Sequence, residues 1–600
     1  MNIRSAKRII SLAAALACTA ASGLPVAAAD SSAHEPITML IAYQSGDEFL
    51  SLLHEKYPEI DLQFVAYNGT NTTEFLSEIL AAGEMTDIYM KTYYSPQQED
   101  LSDRLLDLSG YAFTDKYAQA RIREISDEGA IYLLPFFYSC IGITYNETLL
   151  EENGWTLPTS FKELEELAPK VKEAGYNLCL NQIQYPGYGF QYLCNIADTG
   201  YLSTLPGRKW QADFLSGRVS LSGSQEMLDC MAMLQRWRDV GMLNGDGDPY
   251  DDEKTRKRMA QGDTLFMLGS SNGIADADSE YTFKLMPYLS ENGDQNAYVL
   301  QTARYYGLNK KLGEAGNEQK LEDALHVLDV FSTHEGMNVL MGSDRQNSSL
   351  LPLKDYEISE DNYYYNIKDE IDIGYTAPML YSGWENVLAD VGNRMFSFMR
   401  GESTLDYVIA GFDEGQAAIV NDSPETFTTI TEKIDQADCA RLVGTCLGEA
   451  TGSDLALVSL NRYIAGAPGE HNNDGVSGFL VPGRVTDYTI TVVFPTGWNG
   501  TIKTVTLTGA RIRELMESGY DKYGTGETYP YVMSAPEGFA LEDDRTYKVA
   551  ICGATDEVKR EGDIQDSGIV GMDAAKEYFS RFDTFSAKDI DWKQSAFAGR

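Results

Sequence analysis

Leu134-Pro135-Phe136-Phe137-Tyr138, running on through Thr144-Tyr145-Asn146 to Pro158-Thr159-Ser160-Phe161-Lys162-Glu163-Leu164, is the stretch that decides the fold. Its apolar, aromatic opening leads into a strand that ends at Asn146, and Glu147 to Glu152 reads as a short helix. Pro158-Thr159-Ser160 then starts a longer helix, in which Phe161, Leu164, Leu167 and Val171 share one stripe. Ser160 and Glu163 have the spacing of a capping box, in which each side chain satisfies an orphan backbone donor, and Gly175 supplies the stop.

The same alternation extends in both directions. Upstream, Ile37 to Tyr43 reads as a strand, Glu48 to His54 as a helix and Ile60 to Tyr67 as a second strand. Asn71-Thr72-Thr73 caps a helix with Phe75, Leu76, Ile79 and Leu80 on one face; Gly83 ends it, and Asp87 to Met90 starts a third strand. Downstream, a helix from about Ser224 to Val240 aligns Met227, Met231, Leu234 and Trp237 as a core stripe. Strands alternating with helices imply βαβ units and a largely parallel sheet, hence an α/β fold.

Composition bounds the function. Six hundred residues exceed one ordinary domain of about 100–200. With 48 basic and 90 acidic residues the net charge is −42, which excludes the basic footprint of a nucleic-acid binder and disfavours an anionic membrane surface. Arg4, Lys7 and Arg8, the apolar run from Ile9 and the small residues up to Ala29 form a secretory signal over residues 1–29. Two exits stay open: cleavage after Ala27-Ala28-Ala29, which leaves −45, or a lipid anchor at Cys18 behind a poor lipobox. The product is secreted or cell-surface in either case. None of the eight cysteines forms C-x-x-C; Cys230 reads as a buried apolar residue, and a Cys179–Cys194 bridge is allowed by spacing.

These segments, in this order, resemble the extracellular solute-binding proteins of ABC importers, carbohydrate type (family 1). The resemblance rests on Ile37 to Tyr43, Tyr57-Pro58-Glu59-Ile60, Ala82-Gly83-Glu84 and the decisive stretch through Gly154-Trp155. It continues through Gln261-Gly262, Leu265 to Gly269, Leu351-Pro352 and the segment from Gly401 to Gln416, and covers about residues 36–425. It implies two α/β lobes joined by crossover strands, a small polar ligand of the sugar class between them, permease subunits of an ABC importer as partners, a monomer and no cofactor.

Residues 430–600 differ in texture. Val485 to Phe494 and Ile502 to Leu507 are rich in Thr, Val and Ile and read as strands. The order Ser453 to Val458, Val493-Phe494-Pro495, Leu507-Thr508-Gly509-Ala510 and Tyr547 to Ala550 resembles the C-terminal substrate-binding domain of 5′-nucleotidases. That likeness implies a second, α+β domain beyond a boundary near 425–435. It departs from the pattern at Asn461-Arg462-Tyr463 and at Cys552-Gly553-Ala554-Thr555-Asp556. The chain also lacks the D-x-H and G-N-H segments of the partner metallophosphatase domain, so no enzyme activity is expected. A surface protein whose C-terminal module handles nucleotides is the alternative. Gly269-Ser270-Ser271-Asn272-Gly273 fits G-x-S-x-G with Ser271 as nucleophile and His326 or His334 downstream, but its surroundings match the binding-protein segment. Asn244 to Pro249 looks like a calcium loop without the required Gly and Glu and reads as a solvated acidic loop.

Thirty-seven tyrosines give sugar-type chemistry its material, and Tyr93-Tyr94, Tyr185 to Tyr192 and Tyr305-Tyr306 fall in loops at strand ends. Carried over from the resemblance, the cleft is lined by Tyr43 and Gln44, Tyr93, Tyr138, Gly269 to Asn272 (with Ser270 and Ser271), Gln301, Arg304 and Tyr305. Tyr188 joins them because Pro186-Gly187-Tyr188-Gly189 lifts an aromatic out on a turn. With Arg304 the only base in that set, a neutral ligand is expected.

Overall fold

A computed structural model describes residues 34–42, 46–67, 69, 71–96, 99–269, 279–343, 345–379, 384–420, 424–461, 463, 475–495, 500–519, 531–551 and 564–594. The decisive stretch is three strands rather than one. Leu134–Pro135 lies at the edge of the first sheet, Tyr138–Ile141 in a three-stranded sheet of its own, and Ile143–Asn146 in another sheet. The chain therefore crosses from one lobe to the other within thirteen residues.

Lobe one is built on the strand order Leu62–Ala66, Ile37–Ile41, Ile88–Lys91, Tyr305–Leu308, Leu134–Pro135. The first three run parallel, with Ile37 opposite Leu62 and Met39 opposite Ile88, as alternating strands and helices require. Lobe two is built on Asn177–Asn181, Thr264–Leu268, Ile143–Asn146 and Phe283–Met286. The methionine-rich helix Gln225–Val240 packs its stripe into that lobe, with Met227, Met231, Leu234 and Trp237 all fully buried. The helix Phe161–Glu173 is capped by Ser160, whose hydroxyl accepts from Glu163 N at 3.2 Å. The reciprocal bond falls one residue earlier than expected: the Glu163 carboxylate takes Thr159 N at 2.7 Å.

Three segments join the lobes through the small sheet. Tyr138–Ile141 pairs antiparallel with Tyr298–Thr302, Leu300 standing opposite Cys140, and Tyr298–Thr302 pairs parallel with Thr376–Pro378. The second segment descends from lobe two at Phe283–Met286 and ends in lobe one at Tyr305–Leu308. Tyr305 and Tyr306 thus begin a strand instead of a loop, and Tyr306 is fully buried.

The region beyond residue 428 forms a six-stranded mixed sheet, Gln565–Val570, Thr501–Thr508, Thr546–Ile551, Leu455–Ser459, Tyr531–Ala535, Lys593–Gln594, with a second small sheet beginning at Thr428–Ile430. Alternation divides the large sheet. Leu455, Leu457, Val505 and Val549 pack under the helix Gly509–Ser518, whereas Ala456, Val458 and Ala550 face the other way. One reading fails here: Asp487–Val493 is an α-helix, not a strand. Thr486 and Thr489 make a capping box at its start, and Ile490, Val492 and Val493 are buried in the core shared with lobe one, so tertiary burial overrides their β-propensity. Cys179 and Cys194, allowed as a bridge by spacing, are both free buried thiols in the lobe-two core.

Lobe one and this module share one continuous hydrophobic cluster, from Ile37 through Phe331 to Val492 and Trp592. The seam runs along the helix Thr72–Ala82. Tyr67 stacks on Phe75 at 4.1 Å and donates its hydroxyl to Val492 O at 2.9 Å; Phe479 meets Phe75 edge-on at 5.2 Å. Asn71 caps the helix through its oxygen and donates its amide to Thr491 Oγ1 at 3.0 Å. Gly478 lies at φ +76°, where a Cβ would come within 2.7 Å of the Tyr67 ring, so both its conformation and its contact demand glycine.

Candidate functional site

The cavity at the junction of the lobes is lined from three sides. Thr92 to Pro96, Glu124 and Ile125 come from lobe one, Arg208 from lobe two, and Leu300 to Thr302, Tyr305, Pro378 and Met379 from the crossover strands and their ends. The cleft encloses about 600 Å³ counting space open to solvent.

The walls are aromatic with polar ends. Tyr94 meets Tyr305 edge-to-face at 6.0 Å. The Tyr94 hydroxyl is buried with no hydrogen-bond partner, a cost that a bound hydroxyl group would remove. Burial pushes the Tyr305 phenol up to about 12, opposed by the Thr302 hydroxyl beside it, so Tyr305 stays a neutral donor. Behind the wall, Arg121 pairs with Glu124 at 2.9 Å, lies 5.4 Å over the Tyr138 ring and donates to Thr376 Oγ1 at 3.3 Å. Burial raises the Glu124 carboxyl, against the opposing pull of Arg121 and Arg208. Lys91 is neutralised by Glu99 at 2.8 Å.

Of the residues expected here, Tyr93, Gln301 and Tyr305 line the cavity together. Arg304 lies one residue before Tyr305, with its Nη1 turned onto Ala303 O at 2.5 Å. Tyr138 is buried in the hinge cluster under Arg121. Two others belong to the body of lobe two. Tyr188 is not on a turn: Pro186 opens the helix Pro186–Ala197, and Tyr188 in its first turn faces Asp252. Gly269 ends the strand Thr264–Leu268, its carbonyl accepting from Gln191 Nε2 at 3.0 Å. Tyr43, Gln44, Ser270, Ser271 and Asn272 lie outside the described residues. Arg121, Glu124 and Arg208 were missed: they are ordinary helix charges, the first two an i,i+3 pair, with no local pattern that marks a cleft.

His326 stacks on Tyr57 at 4.2 Å and His334 reaches Lys354 O at 3.2 Å, both in lobe one, whereas Gly269 is in lobe two. Among the described residues no group of His, Cys, Asp and Glu is arranged to hold a metal ion. The Asn244–Pro249 loop is held instead by Asn181, whose oxygen accepts from Asn244 N at 2.9 Å and Gly245 N at 3.0 Å. A wider groove of about 830 Å³, counting space open to solvent, lies within lobe two, between Tyr201, Met233 and Leu289, away from the junction.

Two lobes on mixed sheets, three crossovers and a polar–aromatic cleft at their junction match known proteins. The sequence matches the family described as bacterial extracellular solute-binding protein over residues 52–314. A family 1 extracellular solute-binding protein from Bifidobacterium longum subsp. infantis superposes with a TM-score of 0.52 at 15% identity, over 64% of this chain and 99% of that one. This is a two-lobed solute-binding fold. The bacterial solute receptor AcbH, described as having an exclusive preference for β-D-galactopyranose, also superposes at 0.52, with 13% identity over 64% of this chain and 99% of its own. So does the binding protein MsmE of Bacillus subtilis subsp. subtilis in an open conformation, at 0.52 and 14% identity over 65% and 98%.

Proposed function

We propose that the protein is an exported solute receptor that closes two lobes around a carbohydrate and presents the closed form to the permease of an ABC importer. The observation that carries this reading is the cleft itself: tyrosine faces for the C–H surfaces of a sugar, and hydrogen-bonding ends for its hydroxyls, gathered at a three-strand hinge. Closure is a shift between open and closed states, driven by ligand contacts that exist only when both lobes engage. A secretory signal at residues 1–29, with or without a lipid on Cys18, agrees with this role.

Thermal melting against panels of mono- and oligosaccharides and of nucleosides tests it. Binding to the native state raises the melting temperature by mass action. A sugar should do so, and Tyr93→Ala should abolish the shift while leaving the ligand-free melt within a few degrees. Stabilisation by nucleosides alone would move the activity to the C-terminal module and defeat the receptor reading.

A further inference from the structure

The charge of the cleft is not that of a neutral-sugar site. Two guanidinium groups, Arg121 and Arg208, face one carboxylate, Glu124, and only Arg121 pairs with it, at 2.9 Å. Arg208 lines the cavity from the opposite lobe, and its Nε is buried with no hydrogen-bond partner. The other acid near it is Asp198, which is 1% exposed and has no hydrogen bond to either carboxylate oxygen. Burial pushes its carboxyl up, against the opposing pull of Arg208, and it makes no ion pair with Arg208. The Lys91–Glu99 pair nearby is neutral as a unit. In a chain with 90 acidic and 48 basic residues, a cleft guanidinium left without an ion-pair partner is costly unless a ligand supplies the anion.

We propose that the cleft selects a sugar bearing one carboxylate, a uronic acid unit, and that Arg208 is the group that reads it. This rests on the receptor reading above. With Arg121 paired to Glu124 and Lys91 to Glu99, one guanidinium, Arg208, is left for a ligand, which matches a monoanion better than a phosphate dianion. The planar guanidinium suits a carboxylate as a two-pronged acceptor. The tyrosines hold the ring, the orphan Tyr94 hydroxyl takes a sugar oxygen, and Arg208 brings lobe two onto the acid as the lobes close. The overall negative charge of the chain acts at long range and is screened within about 8 Å at physiological salt; the selecting contact is local.

Calorimetric titration of the full mature chain with matched pairs tests this: galactose against galacturonate, glucose against glucuronate, and their disaccharides, with glucose 6-phosphate as a further arm. The acid member should bind about ten- to a hundred-fold more tightly, the span of a charge-assisted hydrogen bond, and the advantage should shrink as salt rises. Arg208→Gln should weaken binding of the acid member far more than that of the neutral one, and Arg208→Lys should restore part of the difference. Equal binding of neutral and acid members, preference for the phosphate, or equal loss of both in Arg208→Gln would overturn the assignment. If neutral sugars bind and uronates do not, the receptor reading stands and only this inference falls. If no sugar of any kind binds, both fall.

Discussion

At the scale of single residues, the hinge depends on atoms that are absent. Gly142 is the one residue between the crossover strand Tyr138–Ile141 and the lobe-two strand Ile143–Asn146. A Cβ there would come within 2.6 Å of Met286 O and 3.1 Å of the Tyr298 ring. Both neighbours are held, one by the backbone and the other by the buried hinge cluster. Gly142→Ala should therefore destabilise the protein by about 1–3 kcal/mol, the usual cost of overpacking, seen as a lower denaturant midpoint with an unchanged slope. Asn181 is the second such residue. It is fully buried, accepts from two backbone amides of the 244–249 loop and donates to Met242 O at 2.9 Å. Asn181→Leu leaves those groups unpaired and should cost about 2–4 kcal/mol, measurable by urea unfolding; a near-neutral result would show that water replaces the side chain.

The helix Thr72–Ala82 is the element on which lobe one and the C-terminal module meet, and it carries a pH-dependent contact. Burial pushes the Glu78 carboxyl from 4.5 up to about 8, with the Thr489 side chain pulling it down and Glu74 pushing it further up. The sign follows from linkage. Between pH 4.5 and about 8 the folded state holds a proton that the unfolded chain releases, so stability falls as pH rises through that window. Glu78→Gln should flatten this slope and raise the melting temperature at pH 9 relative to the parent. Melting curves from pH 5 to pH 9 check it, and an unchanged slope in the variant would place the titration elsewhere. The neighbouring helix Asp487–Val493 explains why its sequence misleads: Thr, Ile and Val suit a strand, but a capped turn buried against lobe one decides otherwise.

For the whole molecule, the distribution of core matters more than the number of domains. Lobe two has its own hydrophobic cluster, whereas lobe one and the C-terminal module share theirs. Calorimetry should accordingly resolve lobe two from a joint transition of lobe one with the module. Proteolytic nicking near residues 421–424 should give two fragments that co-elute on gel filtration, because the seam of Tyr67, Phe75, Phe479 and Val492 remains buried. Fragments that separate under native conditions would show that the shared core contributes little. In the proposed closure the module travels with lobe one, since its contacts run to the Tyr67 end of that lobe and, through the Tyr463 hydroxyl, to Asp47.

The sequence by itself determined the local elements: the capped helix after Ser160, the methionine stripe from Met227 to Trp237, the βαβ alternation of the first ninety residues and the change of texture after residue 430. Those signals are carried by neighbours within a few positions, as caps, stripes and breakers are. It also named Tyr93, Gln301 and Tyr305, which the fold gathers into one cavity. Tertiary structure decided the rest. That the run from Leu134 to Asn146 divides among three sheets depends on partners more than a hundred residues away, at Tyr298–Thr302 and Phe283–Met286. The helix at Asp487–Val493 and the seam with lobe one depend on burial that no local window contains. The same holds for the charge of the cleft. Arg121 and Glu124 share the helix Gln119–Ile125 of lobe one, whereas Arg208 lies on Leu205–Leu215 of lobe two, and only folding brings that second positive group to the pair, because a Coulomb interaction is fixed by distance in space and not by position in the chain.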